Sequence, residues 1–304
     1  MPAFSGVIPP IVTPLLDDRS VDVTSLKRLI DYQLDAGVHG VFVLGSSGEA
    51  VYLSDSDRRT VAEVTVSHTA GRVPVLLGAL DTTPARVVEQ LNLFSGLPAD
   101  GVVVTAPFYA NPSDSEVAEH FRAICSQSPL PVLAYDIPGN VGRRIPLQVS
   151  IDLLGAGVLA GIKDSSGTLT EFRRILDALG PGHDAAVLTG ADVLADLALN
   201  LGADGLIPGL ANARPDLFVG LYDAHRKGDA VAVAKHQRAI NVLVDIFGAG
   251  QPHGLGRHSS ELGALKTMLH RRGVIATTAV SAPLTRYDEA AIASLDAILE
   301  RVPL

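Results

Sequence analysis

Short apolar runs alternate with amphipathic helical ones along most of the chain, and this alternation constrains the fold more than any other feature. Strands are expected at 6–12, 40–44, 74–78, 101–104, 131–135, 158–162, 186–188 and 205–207. Each is short and apolar throughout, as parallel strands buried on both faces must be. Helical periodicity covers 24–36, 55–70, 84–94, 115–126, 146–154, 169–179, 193–201 and 215–226. Boundary residues agree: Pro84 follows Thr82 and Thr83, Pro146 follows Arg144 and Ile145, and Gly37, Gly71, Gly96, Gly180 and Gly202 close helices. Eight βα units in roughly 200–250 residues match an α/β protein of the (β/α)8 TIM-barrel type. An open doubly wound sheet also alternates, but eight full units favour closure, and no Gly-x-Gly-x-x-Gly follows the first strand.

After Lys227 the strand pattern stops, and 229–247, 259–272 and 287–301 read as three helices joined through a glycine-rich connection at 248–256. The expected division is therefore a barrel at 1–226 carrying the active site and a helical domain at 227–304. His253 and His258 read as loop residues rather than metal ligands, since no carboxylate or cysteine spacing completes a site.

With 304 residues, 47% of them hydrophobic, the chain can bury a large core. A net charge of −9 argues against nucleic acid or an anionic membrane as a main partner. The single cysteine, Cys125, has no partner for an internal disulfide, which fits a reducing compartment, and it reads as a packed small hydrophobe. Met1 to Gly6 lack the pattern of a signal peptide, and no apolar run approaches the roughly 18 residues of a membrane span. A cytoplasmic location is the expectation.

Barrels of this kind carry their reactive groups on the loops at the C-terminal ends of the strands. At the sixth such end stands Lys163, where a strand at 158–162 gives way to small polar residues. Apolar surroundings favour the neutral, nucleophilic amine, which can add to a carbonyl and form a Schiff base. The bland alternative is a lysine snorkelling to solvent. Tyr135 ends the neighbouring strand at equivalent depth, so the two side chains can meet over the barrel mouth and the tyrosine can move protons. Tyr109 stands in a similar position after strand four, and Gly190 and Ile207 mark the ends of strands seven and eight. The other lysines, Lys27, Lys227, Lys235 and Lys266, fall on helical stretches or their ends, leaving Lys163 as the imine-forming candidate.

After strand two comes Gly45-Ser46-Ser47-Gly48-Glu49, a turn offering hydroxyls and free backbone N–H groups to a carboxylate or phosphate. It is neither a Walker-type loop, lacking Lys-Ser/Thr, nor a Gly-x-Ser-x-Gly nucleophile elbow. An ordinary glycine turn is the alternative reading.

Gly45-Ser46-Ser47-Gly48-Glu49, Tyr135-Asp136-Ile137-Pro138 and Gly161-Ile162-Lys163-Asp164, in this order and spacing, resemble the dihydrodipicolinate synthase/N-acetylneuraminate lyase family of class I pyruvate-dependent aldolases. The likeness runs from Gly6 to Pro14, through Gly202 to Ile207, into the C-terminal helices. It implies a (β/α)8 barrel with a C-terminal helical domain and a homo-oligomer, commonly a homotetramer built as a dimer of dimers. By the same resemblance Lys163 forms the imine with pyruvate or a 2-oxo acid, and Tyr135 shuttles protons. Ser46, Ser47 and the Gly48 backbone would hold the substrate carboxylate, with Gly190 and Ile207 lining the pyruvate pocket. Tyr109 matches a tyrosine that, in synthases of the family, reaches a neighbouring subunit's site and completes a hydroxyl relay, and Ser47 is the further catalytic candidate. No metal or diffusible cofactor is implied beyond the covalent imine.

Departures from the pattern bear on the substrate. In the synthases an arginine two residues after the Tyr-x-x-Pro proline binds the carboxylate of aspartate semialdehyde; this chain has Asn140 there. A neutral amide cannot make that bidentate charged contact, and Arg143 or Arg144 would have to reach in instead. Asp136 stands where asparagine is usual and is expected to add negative charge near the pocket. Lys163-Asp164-Ser165 resembles the 2-keto-3-deoxy sugar acid aldolases more than the synthases. The expected activity is cleavage or condensation of a 2-keto-3-deoxy sugar acid or similar 2-oxo acid. The alternatives are 4-hydroxy-tetrahydrodipicolinate synthesis, a Schiff-base dehydratase and, last, a non-catalytic 2-oxo-acid sensor.

Overall fold

The valine- and leucine-rich runs form eight parallel strands in the computed structural model, which describes residues 3–301. They are β1 (Gly6–Val7), β2 (Val41–Val43), β3 (Val75–Gly78), β4 (Gly101–Thr105), β5 (Val132–Asp136), β6 (Gly161–Asp164), β7 (Ala186–Thr189) and β8 (Gly205–Leu206). Every strand residue is buried, because helices cover the outer face and side chains fill the inner one. The helices of the barrel are α1 (Val23–Asp35), α2 (Asp55–Thr69), α3 (Pro84–Leu93), α4 (Asp114–Cys125), α5 (Pro138–Val141), α6 (Leu147–Gly155), α7 (Leu169–Leu179), α8 (Ala195–Leu201) and α9 (Pro215–Arg226). The short α5 was not anticipated.

The sheet runs β1-β8-β7-β6-β5-β4-β3-β2, and the seam between β1 and β2 is closed by backbone bonds. His39 N donates to Val7 O at 2.8 Å, Phe42 N to Pro9 O at 3.0 Å and Ile11 N to Phe42 O at 2.7 Å. The first strand is shorter than the apolar run 6–12 because Pro9 and Pro10 have no N–H to give to a ladder. Helix starts follow their caps: Ser54 on α2, Thr83 with Pro84 on α3, and a Ser113–Glu116 capping box that begins α4 ahead of the expected Ser115.

The sixth strand lies later than expected. Val158 N and Leu159 N both bond Leu153 O (3.0 and 3.2 Å), closing the end of α6 after the left-handed Gly157. That turn consumes 158–160, so β6 begins at Gly161 and Lys163 sits inside the strand rather than past its end.

Beyond the Lys227–Asp229 connection lie three further helices, α10 (Ala230–Leu243), α11 (Arg257–Arg271) and α12 (Glu289–Leu299). The stretch expected as one helix to 247 changes to a 3-10 turn at Val244–Gly248. No helix of the described residues is long and apolar enough to cross a membrane.

Candidate active site

Parallel pairing of β5 with β6 sets Tyr135 opposite Lys163 and Asp136 opposite Asp164. Side chains alternate across a strand, so one pair points into the barrel and the other out toward the helices. The inward pair makes the site. Lys163 is buried, and its Nζ lies 3.9 Å from the centre of the Tyr135 ring and 5.1 Å from that of Phe42. The tyrosine hydroxyl lies 3.3 Å from Ser46 Oγ.

The outward pair corrects the expectation that Asp136 charges the pocket. Its Oδ2 accepts from Arg144 Nε at 2.5 Å and its Oδ1 from Ile145 N at 3.1 Å. Arg144 also bridges Glu171 (2.9 Å) and Asp164 (3.7 Å). Burial pushes the Asp136 carboxyl up, against the pull of Arg144. The same network removes Arg144 from the pocket. Arg143 is committed too, to Pro112 O and, at 3.3 Å, to Asp114, so neither arginine reaches in.

The turn after β2 is bracketed by two non-glycine residues in the left-handed region, Leu44 (φ 60°) and Glu49 (φ 58°). Each such residue costs about 1–2 kcal/mol, so something must hold the turn. Leu44 swings its carbonyl against β3, where a Cβ on Gly78 would stand 1.9 Å away; only glycine fits there. Thr13 Oγ1 donates to Gly48 O at 2.7 Å. Glu49 is fully buried; it accepts from Ser281 N at 2.6 Å and pairs with Lys266 of α11, which also donates to Ala279 O at 2.7 Å. Burial pushes the Lys266 ammonium down and its carboxylate partner opposes this. Lys266 is thus occupied, whereas Lys163 faces open space. Ser46 and Ser47 line the cavity, but Gly48 packs behind them and does not.

The cavity, of about 370 Å³, opens at the C-terminal rim. Asn140, Gly190 and Ile207 line it. A Cβ at Gly190 would lie 2.1 Å from Ser165 Oγ and 2.9 Å from Lys163 Cε, so glycine there makes room for the lysine stem. Tyr109 is not brought to the site of its own chain: it is fully exposed on the loop after β4, with φ 71°.

Four titratable lining residues were not anticipated. Asp192, half-buried, lies two residues beyond Gly190, and its Oδ1 accepts from Leu210 N at 3.3 Å. Burial pushes its carboxyl up to about 7, partly offset by backbone donors and by Lys163. Its place on the loop after β7 was readable from the sequence. Arg257, His258 and Glu261 come from α11, and no local pattern pointed to them. His258 is therefore a helix residue at the cavity, its ring stacked on Tyr52 at 5.8 Å and its basicity lowered by burial. His253 lies on the surface, 2.8 Å from Ser294 Oγ. Burial pushes the Cys125 thiol up to about 11, in keeping with a packed rather than reactive cysteine.

A closed parallel barrel holding a lysine amine against a tyrosine at its C-terminal rim defines a lyase of the class I type, in which the amine captures a ketone as an imine. The sequence model of the Dihydrodipicolinate synthetase family matches residues 3–302. The chain belongs to that family. It is 34% identical over 269 residues to a DapA-like lyase of Halobacterium salinarum, covering 87% of this chain and 88% of the relative. It is 30% identical to a 4-hydroxy-tetrahydrodipicolinate synthase of Methanosphaerula palustris, covering 94% of this chain and all of the relative. The solved structure of YagE, a prophage protein of E. coli K12 in complex with pyruvate, superposes with a TM-score of 0.90 at 29% identity over 99% of each chain.

Proposed function

We propose that the protein cleaves or condenses pyruvate-derived 2-oxo acids through an imine at Lys163, with a 2-keto-3-deoxy sugar acid or similar hydroxylated 2-oxo acid as substrate. The observation that carries this reading is Lys163 Nζ held 3.9 Å over the Tyr135 ring, with the tyrosine hydroxyl on Ser46. The neutral amine adds to the C2 carbonyl and water leaves. The protonated imine then takes the electron pair released when C3–C4 breaks, or the enamine attacks an aldehyde in reverse. Tyr135 receives the proton from the C4 hydroxyl as the aldehyde departs. Ser46 and Ser47 orient donors toward the C1 carboxylate. The imine is itself the electron sink, so the reading asks for no diffusible cofactor.

Asn140 in place of the synthase arginine supports a hydroxylated substrate, as does Asp192, whose carboxyl can exchange hydrogen bonds with hydroxyls of the bound chain. Pyruvate bound to YagE supports the three-carbon half. The exposed, left-handed Tyr109 supports a homo-oligomer, a dimer of dimers, in which it serves the neighbouring copy's site. The relative in Methanosphaerula palustris keeps a second reading open, 4-hydroxy-tetrahydrodipicolinate synthesis, which turnover of pyruvate with aspartate semialdehyde would favour.

Borohydride reduction in the presence of pyruvate, followed by peptide mapping, tests the chemistry. A mass gain at Lys163, lost in Lys163→Ala, is the expected result; an unmodified lysine overturns the reading.

A further inference from the structure

One cation stands at the cavity mouth, and it comes from outside the barrel. Arg257 opens α11 and is the only guanidinium lining the cavity among the described residues. Its Nε donates to Glu261 Oε1 at 2.7 Å, a single bond that holds the fork and leaves both Nη nitrogens free to donate. Its Nη1 would lie 2.8 Å from a Cβ on Gly139, so the guanidinium rests against the backbone beside Asn140. Arg143 and Arg144, on the same side of the rim, are held elsewhere by Asp114, Asp136, Asp164 and Glu171. Charge missing from the loop after β5 is thus supplied by the C-terminal helix.

Resting on the Schiff-base reading above, we infer that Arg257 grips an anionic group, carboxylate or phosphate, at the far end of the aldehyde that the pyruvyl enamine attacks. Lys163 fixes C2 in the depth of the cavity and the Ser46–Ser47 turn faces C1, so the chain beyond C4 runs outward toward α5 and α11. A planar fork with two free nitrogens matches either oxyanion in bidentate fashion. The reaction is balanced without a redox partner. The C3–C4 bond forms, the aldehyde oxygen takes a proton, and water releases the 4-hydroxy-2-oxo acid from the imine. The accepted products therefore carry negative charge at both ends.

The test uses the full-length protein, the Arg257→Met and Arg257→Lys variants, and pyruvate with three aldehydes. D-Glyceraldehyde is neutral, D-glyceraldehyde 3-phosphate carries phosphate and succinic semialdehyde carries carboxylate. The readout is the ratio of kcat/KM for each charged aldehyde to that for the neutral one. For at least one anion, Arg257→Met lowers this ratio about tenfold to a hundredfold, mainly through KM, and Arg257→Lys lies between. The arm that falls names the anion. A ratio unchanged in Arg257→Met, or an equal loss with all three aldehydes, overturns the assignment while leaving the imine chemistry intact. Absence of reductive trapping by pyruvate in the unmodified protein removes both.

Discussion

Glu49 and Lys266, 217 residues apart, form an ion pair in which neither side chain is exposed, and it joins the turn after β2 to α11. All charges in it are met: the carboxylate also accepts from Ser281 N and the ammonium donates to Ala279 O. Removing one partner leaves the other charged and dry, at a cost of about 3–5 kcal/mol. Lys266→Met is expected to lower the denaturation midpoint sharply. The double variant Glu49→Gln/Lys266→Met regains much of the loss, since it strands no charge. Equal midpoints for single and double variants would remove the argument.

Gly190 shapes the lysine's berth. Gly190→Ala places a methyl 2.9 Å from Lys163 Cε and closer still to Ser165 Oγ, so the stem or the loop must shift. A displacement of that order costs about a hundredfold in rate. Reductive trapping by pyruvate should slow accordingly while circular dichroism stays unchanged.

Tyr135→Phe keeps the ring beneath Lys163 and removes only the hydroxyl that meets Ser46. Imine formation with pyruvate should persist, but turnover should fall by about 10²–10⁴ as proton transfer is lost. Trapping stoichiometry set beside steady-state kcat separates the two steps.

Asp192 gives a pH signature. Its folded carboxyl titrates at about 7, above the ordinary value of 3.8, so between those limits the folded state binds more protons than the unfolded one. Stability from this group therefore falls as pH rises from about 4 to about 7 and is flat above. Asp192→Asn should gain on the parent protein across that window and hold a constant difference beyond it. Denaturation midpoints measured at several pH values report the gap, and a gap independent of pH would contradict this account.

Much of the frame was legible without coordinates. Apolar runs with glycine and proline boundaries marked eight strands and the helices between them, and the ends of those strands pointed to Lys163, Tyr135, Gly190 and the serine turn. The strand holding Lys163 was misplaced because 158–160 are as apolar as a strand, yet the N–H groups of Val158 and Leu159 close the end of α6. Asp136 was misjudged for a different reason. Proximity in sequence to Tyr135 says nothing of direction, and the pleat turned it out to Arg144.

The sequence by itself determined the alternation of eight strands with the helices between them, and it singled out Lys163 as the lysine proposed to capture a ketone. Periodicity and boundary residues act over a few positions, and a sequence displays them directly. Only the tertiary structure decided that Arg257, His258 and Glu261 wall the cavity and that Lys266 fastens the turn beneath it. Those contacts join residues far apart in the chain. They arise from how α11 packs across the barrel mouth, and no local pattern in either partner encodes that.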